Sequence, residues 1–385
     1  MKISPFLIFF SIVLTLYGLI NYYIFKHAIA ALPSNSKITG WFTTIFIFIA
    51  SAFVFGRVLE RVWQTWISTL FTWVGSFWLA AMLYFFLIVV VIDIIRLMGW
   101  MLPFLPSFLI HPTAELKLIY LYAATGFVGI LVIIGHINAI HPYIRKIEIQ
   151  AGIPSAHSKE VTIVMASDIH LGTIIGPRRV NKLVNTINGL KPDLILFAGD
   201  VVDEDLAPVI RQNLGDSLRK LKATMGIYAI TGNHEYIGGA EAACKYLEQH
   251  GITMLRDKVA DINGLFYVAG REDRSINSHA GHKRLSLENL LAGLDRSRPI
   301  ILMDHQPFHL EEAVKQNITL QLSGHTHDGQ LWPLNYITQA MFEISMGYKK
   351  IGNTHFYVSP GFGSWGPPVR IGHRPEIALI KMRIN

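Results

Sequence analysis

A single cysteine, Cys244, stands in 385 residues, so neither an intramolecular disulfide framework nor a cysteine-cluster metal site can be built from this chain. Charge is scarce as well. Asp, Glu, Lys and Arg make up 16% of the sequence, against roughly 25% in ordinary soluble domains, while apolar residues reach 51%. That imbalance predicts a membrane-embedded part. The net charge of +7 is unevenly spread: residues 1–150 hold nine Lys/Arg against four Asp/Glu, leaving 25 against 23 elsewhere. The basic excess belongs to the apolar half and gives no ground for a nucleic-acid partner. No internal repeat or low-complexity tract is visible.

What the first part of the chain does have is long apolar runs, at 5–25, 38–55, 66–92 and 118–140. At about 1.5 Å rise per residue, helices of this length reach across a hydrocarbon core roughly 30 Å thick. Trp41, Trp63, Trp66, Trp100, Tyr120 and Tyr122 lie near their ends, as interfacial aromatic belts do. A multi-pass integral membrane protein is expected. Lys2 and the Ala28-Ile29-Ala30 pattern would also suit a cleaved leader, but the first run exceeds the about 7–15 apolar residues of one. Four spans put the N-terminus and the following domain on one side. There Lys2, Arg57, Arg61, Arg145 and Lys146 face a count of Lys26, Lys37, Arg96 and Lys117 opposite, an excess of one that favours the cytoplasmic side. Asp93 and Arg96, three apart at the end of the third run, read either as an interfacial ion pair or as an intramembrane functional pair.

Between 141 and 160 the composition turns mixed, with His141-Pro142 and Gly152-Ile153-Pro154-Ser155, and the domain boundary is placed near residue 145. Two domains follow: 1–145, helical and transmembrane, and 146–385. In the second, strand-like runs at 161–166, 194–198, 227–230, 265–269, 300–303, 319–322, 356–358 and 377–380 alternate with helical patterns, clearest at 179–190 and 241–250. Such alternation predicts a layered α/β domain.

Five polar clusters follow those strand-like runs in order: Asp168-Ile169-His170, Gly199-Asp200-Val201-Val202-Asp203, Gly232-Asn233-His234-Glu235, Asp304-His305 and Gly324-His325-Thr326-His327. In α/β domains, sites gather in loops at the carboxyl ends of strands, so one sheet edge can collect them all. A lone histidine after a strand is more often a turn or capping residue; the ordered set carries the reading. Besides His234 it offers two carboxylates, one amide and four imidazoles, donors that suit two divalent cations of the Mn, Fe or Zn kind better than one.

These blocks, D-x-H, G-D-x-x-D, G-N-H-E, a lone H and G-H-x-H, resemble the calcineurin-like metallophosphoesterase superfamily, in its membrane-anchored bacterial-type branch, over residues 160–383. The resemblance implies an αββα sandwich. It also implies that Asp168, His170 and His327 hold one metal, that Asn233, His305 and His325 hold the other, and that Asp200 bridges them; Mn is the favoured ion. His234 would be the catalytic histidine beside the leaving group, oriented by Asp203. An imidazole stabilised by a carboxylate suits that proton-donor role.

The sequence also departs from its relatives. Where protein Ser/Thr phosphatases of the superfamily place an arginine after G-D-x-x-D, Glu204 stands here, which disfavours a protein substrate. Asp328 reads as a turn cap or as charge at the site mouth. Arg271, Arg274 and residues 279–284 read as a phosphate-contacting lid or as a solvated loop. Gly361-Phe362-Gly363-Ser364-Trp365-Gly366 matches G-x-G-x-x-G, but Pro367-Pro368 forbids the helix that a dinucleotide site needs. That loop is expected to shape the rim, with Arg370 as a phosphate contact. Residues 331–346 bring Trp332, Ile337, Met341, Phe342 and Met346 toward the site, either to grip acyl chains or to pack on the core.

The function expected is that of an integral membrane dinuclear-metal phosphoesterase acting on a phosphodiester, pyrophosphate or monoester of a lipid or lipid-linked substrate, with membrane lipids as partners and no obligate protein partner. A non-catalytic ligand-binding or sensor module is the alternative, disfavoured because all seven ligand positions and His234 are present. A transporter is disfavoured by the near absence of charge inside the spans.

Overall fold

The computed structural model describes residues 5–34, 36–102, 105–151, 159–279, 281 and 283–384. Gly152-Ile153-Pro154-Ser155 of the mixed stretch, and Ala280 and His282 of the segment read as a lid or a solvated loop, lie outside these. The chain divides into two compact units, Met1–Gly135 and His136–Asn385. The division falls inside the last long helix, upstream of the expected boundary near 145.

Four long helices, Pro5–Ile29, Lys37–Val62, Trp66–Met101 and Ala114–Ala139, account for the apolar runs, and all four are apolar enough to cross a membrane. The third continues well past the expected end at 92 because no helix breaker interrupts it before Pro103. Small residues set the packing of the second and third helices. Ala52, Gly56, Ser68, Thr72 and Gly75 are buried where they meet, and a Cβ on Gly56 would sit 2.9 Å from the Thr72 amide nitrogen. Such seams drive helix association in lipid, where no hydrophobic effect is available between helices. A polar contact adds to it, Trp78 Nε1 donating to Asn21 Oδ1 at 2.9 Å.

Among the described residues, the second unit contains twelve strands: β1 (Tyr143–Ala151), β2 (Lys159–Ala166), β3 (Leu194–Ala198), β4 (Ile227–Ile230), β5 (Thr253–Met254), β6 (Lys258–Ile262), β7 (Phe266–Gly270), β8 (Ile300–Met303), β9 (Leu320–Ser323), β10 (Gly347–Ile351), β11 (Thr354–Val358) and β12 (Glu376–Ile384). They form two six-stranded sheets, ordered β1-β12-β2-β3-β4-β5 and β10-β11-β9-β8-β7-β6. β2, β3, β4 and β5 run parallel, as do β11, β9, β8 and β7.

The strands are apolar on both sides, and each side has its own partner. Ile163, Met165, Leu196 and Ala198 of the first sheet share a core with Val268, Ile301, Met303 and Leu322 of the second. Their alternating neighbours Val164, Ala166, Ile195 and Phe197 face outward into a layer with Val180, Leu183, Val184 and Ile187. Those four lie three and four residues apart on the helix Pro177–Gly189, which starts on a proline where the missing N–H costs nothing. Ile300, Leu302 and Phe356 face a third layer with Leu290, Leu310 and Ala313. The layers are therefore αββα. Wholly buried side chains such as Phe197 and Phe266 each contribute about 1.5–3 kcal/mol. An aspartate at Leu183 would break the helix–sheet layer by burying an unpaired charge.

Candidate metal centre

Every polar cluster sits where a parallel strand ends. Asp168 and His170 follow β2, Asp200 follows β3, Asn233 and His234 open the helix Asn233–Gly238 after β4, His305 follows β8, and His325 and His327 follow β9. The backbone leaves the sheet through left-handed residues: φ is 49° at Asp168, 52° at His170, 51° at Asp200, 73° at His325 and 47° at His327. Asp and His tolerate this region better than most residues, yet a non-glycine residue there costs of order 1–3 kcal/mol. Five such residues among the expected ligands mark a backbone held by its surroundings.

Those surroundings are a lattice of backbone bonds between loops. The Asp168 amide donates to Gly199 O at 3.1 Å and the His170 amide to Asp200 O at 3.0 Å. Carboxylates tie further loops together, since Asp200 Oδ1 accepts from the His234 amide at 2.8 Å and Asp168 Oδ1 from the His325 amide at 3.0 Å. Gly199 is required where it stands, with φ of +87° and a Cβ that would lie 2.5 Å from His305 Nδ1.

Glu235 is the brace that sequence reasoning left without a role. Buried at 1% exposure, its Oε2 accepts from the Gly232 amide at 2.7 Å and the Asp200 amide at 3.1 Å, and its Oε1 from the Val202 amide at 2.9 Å. Burial and the Asp200 charge push its carboxyl up, while the amide donors hold it down. Glutamate at the third position of a helix reaching back to the cap amide is a recognisable capping signal, and the G-N-H-E run contained it.

Three groups of donor atoms result, each drawn together within 4.8 Å: Asp168 with His170 and His327, Asp168 with Asp200 and His305, and His170 with Asp203 and His234. Asn233 Oδ1 and His325 Nδ1 pair at 2.8 Å, and the His325 ring stands 5.3 Å from that of His305. The donor set fits divalent cations on the protein's own geometry. His170 Nε2 faces His327 Nε2 at 3.1 Å, an arrangement of two ring nitrogens that a shared cation would reconcile. Buried His170 Nδ1 and His305 Nε2 make no hydrogen bond, although a carboxylate oxygen lies 3.5 Å from the first and 3.1 Å from the second. Burial, the neighbouring His170 and the Arg370 guanidinium hold His327 well below the usual imidazole range, which keeps the ring neutral and able to ligate.

His234 has a different environment. Burial opposes its charge, but Asp200, Asp203 and Glu204 outweigh it and, among the protein's own groups, raise its pKa to about 9. Its Nδ1 pairs with Asp203 Oδ1 at 3.0 Å, Glu204 Oε1 lies 3.9 Å away, and its ring stands 4.5 Å from that of His170.

Other expected residues fall in different places. Arg370, expected as a phosphate contact at the rim, is wholly buried at 0% exposure. Its guanidinium donates to Pro360 O at 2.8 Å, Gly363 O at 2.7 Å and His373 Nε2 at 2.7 Å, and reaches His327 Nδ1 at 3.3 Å. A buried guanidinium needs such acceptors, so Arg370 is placed to position His327. Arg271 and Arg284 both pair with Asp304, at 3.1 Å and 2.8 Å, and so fix the loop carrying His305. Asp328 is buried and accepts from Ser345 Oγ at 2.9 Å, pinning residues 331–346 to the G-H-x-H turn. The 361–366 loop lies on the first motif, with the Phe362 amide on Ser167 O at 3.0 Å and the Gly363 amide on Asp168 O at 2.7 Å.

Residues 331–346 are divided between core and solvent. Leu331, Phe342 and Ile344 are buried, with the Phe342 ring 5.8 Å from that of His325. Trp332 is 49% exposed, Tyr336 61%, Ile337 56% and Met341 62%, and Trp365, whose ring lies 6.3 Å from His234, is 53% exposed. The apolar segment is thus part anchor and part open surface.

Comparison with known proteins bears on this arrangement. The calcineurin-like phosphoesterase family model matches residues 161–329. An uncharacterized metallophosphoesterase of Campylobacter jejuni is 30% identical over 387 aligned positions, spanning 98% of this chain and 99% of its own length. The chain belongs to the calcineurin-like phosphoesterase family. A second uncharacterized metallophosphoesterase, from Aquifex aeolicus, is 32% identical over 58% of this chain and 85% of its own length. A zebrafish protein described as a transmembrane protein with metallophosphoesterase domain is 32% identical over 66% of this chain, which spans 61% of that relative's length. The family uses divalent metals, and the Asp/His clusters are of the kind that bind them. Among the described residues, four helices long and apolar enough to cross a membrane, together with relatives described as transmembrane proteins, mark this member as a membrane protein.

Proposed function

We propose that the chain is a membrane-embedded, metal-dependent phosphoesterase that hydrolyses a phosphodiester, pyrophosphate or phosphomonoester bond in a lipid or lipid-linked substrate. The observation that carries the reading is the His234–Asp203 pair standing against His170 at the edge of the donor clusters. Asp168, His170 and His327 would hold one cation, Asn233, His305 and His325 the other, with Asp200 between them. When bound, two such cations would supply water activation and charge neutralisation at the phosphoryl group; Mn, Fe and Zn all suit this oxygen and nitrogen set, and manganese is the ion favoured here.

The chain's own residues supply the rest. Asp203 accepts from His234 Nδ1, which fixes the ring and leaves Nε2 to donate a proton to the departing oxygen. Among the protein's own groups, the surrounding carboxylates favour the protonated ring against the effect of burial. Glu204 in the place of a phosphate-clamping arginine argues against phosphoproteins. Trp332, Tyr336, Ile337 and Met341 of one segment, and Trp365 beside His234, are exposed, and large exposed apolar side chains near the site support a substrate with an apolar moiety.

The test is hydrolysis by the purified, detergent-solubilised chain of paired chromogenic phosphodiester and phosphomonoester substrates with Mn²⁺, beside Asp200→Asn. Activity that disappears in the variant supports the reading and ranks the two ester classes. Absence of turnover on both, with about two metals bound per chain, would replace it with a binding role.

A further inference from the structure

The transmembrane unit contains a second constellation that hydrolysis in the other unit does not explain. Asp93, on the third long helix, is met by three donors: Tyr23 Oη at 2.6 Å, His27 Nε2 at 3.0 Å and Arg96 Nη1 at 3.4 Å. His27 Nδ1 is held in turn by Tyr23 O at 3.0 Å. Of the two readings the sequence left for Asp93 and Arg96, the structure favours neither alone: the pair is real, but it belongs to a network that crosses to the first helix. Ionisable groups in a transmembrane bundle are costly to retain and tend to mark ligand sites.

Beside this network lie two adjoining cavities of about 160 Å³ and 310 Å³. Both are bordered by Ile88, Ile92, Arg96, Tyr120 and Ala124, so they form one cleft along the third and last long helices. Its walls are apolar, with Ile24, Phe85, Val89 and Leu121 toward one end and Ile95, Leu109 and Phe127 toward the other. Its charged lining is of one sign. Arg96 and Lys117 border it; Arg96 is also the most distant of Asp93's three partners, at 3.4 Å, and Asp93 itself does not line the cleft among the described residues. Among the described residues, no carboxylate pairs with Lys117.

An apolar cleft bordered by Lys117, which pairs with no carboxylate among the described residues, and by Arg96, which a 3.4 Å contact ties to Asp93, is complementary to an amphiphile with a negative head. We infer that this cleft binds an anionic phospholipid, its headgroup phosphate on Arg96 and Lys117 and part of an acyl chain along the apolar walls. A zwitterionic lipid fills the walls equally well but brings its own cation to the basic end, so the site discriminates by headgroup. Basic side chains near a membrane surface contribute about 1 kcal/mol each toward acidic lipid. That corresponds to about fivefold in affinity for Lys117, with a smaller addition from Arg96, whose charge Asp93 partly offsets. The site lies within the transmembrane unit and does not depend on the proposed hydrolytic function.

The experiment is native mass spectrometry of the full-length chain released from mixed micelles holding equal phosphatidylglycerol and phosphatidylcholine. The wild-type chain is expected to retain phosphatidylglycerol preferentially. Arg96→Gln with Lys117→Gln should lower that preference by at least about fivefold, while Lys37→Gln, on the second helix, should keep it. Ala124→Phe, which leaves both cations and fills the cleft, should also reduce retention. Three results would overturn the site: no headgroup preference in the wild type, an unchanged preference in the double variant, or full retention in Ala124→Phe, which would reduce the effect to surface charge. Competition by soluble glycerol phosphate at lipid-like concentration would replace the lipid with a free phosphate ligand. Circular dichroism of each variant separates loss of the site from loss of the fold.

Discussion

Asp203 Oδ1 lies 3.0 Å from Nδ1 of His234, and the same oxygen lies 3.5 Å from Nδ1 of His170. One carboxylate thereby stands behind both a candidate ligand and the candidate proton donor. If His234 donates a proton and holds no metal, His234→Ala should keep metal content at the wild-type level and lower turnover by about 10²–10⁴-fold. Elemental analysis beside steady-state hydrolysis checks this. Loss of metal in that variant would move His234 into the ligand set.

Asp200 occupies the opposite role. Burial opposes its charge, but His305, His234 and His170 hold its carboxyl well below the usual range, so it is an anion throughout the working pH range. Asp200→Asn preserves shape and removes that charge. Turnover should vanish and metal content should fall; a variant with full metal and near wild-type turnover would remove Asp200 from the centre.

Glu235 accepts from three amides in two loops, and Glu235→Gln turns one of its acceptors into a donor facing a donor. Leaving buried amides unpaired costs roughly 1–3 kcal/mol. The expected outcome is a lower denaturation midpoint for the second unit, together with weaker metal retention on dialysis. Unchanged values of both would show that the loops are held by other bonds.

Deleting residues 331–346 would remove buried Phe342 and Ile344 and so test the fold rather than the surface. Ile337→Asp with Met341→Asp changes the exposed positions alone. Hydrolysis of a micellar lipid substrate should fall severalfold while hydrolysis of a small soluble ester stays level. Equal effects on both substrates would remove the apolar rim from substrate recognition.

The sequence made the second unit legible where apolar strands end in polar motifs: all eight expected runs are strands, and the five clusters meet at one edge. Its blind spots share a physical cause. Arg145, Lys146 and Glu148 interrupt the apolar pattern of the mixed 141–160 stretch, so β1 carries no strand signal there; it is an edge strand, exposed enough to carry charge. β5 has two residues and no period to detect. Arg370 carried the charge expected of a phosphate clamp, and only the fold reveals that its acceptors are buried carbonyls. Glu235 lay inside a quoted motif, but its three amide partners come from two loops distant in sequence from one another. Distances across the fold, rather than residue types, decided each of these.

The order of the first sheet has a consequence for biosynthesis. β12 lies between β1 and β2, parallel to one and antiparallel to the other. Both neighbours are translated more than two hundred residues before it. While the intervening chain is made, each presents an unpaired edge toward the gap that β12 will fill, and such edges invite pairing with other chains. The loops after β2 and β3 that carry Asp168 and Asp200 are thus synthesised early onto an unfinished sheet. Completion of that sheet, and with it a fixed geometry for Asp168 and Asp200, waits on the arrival of residues 376–384.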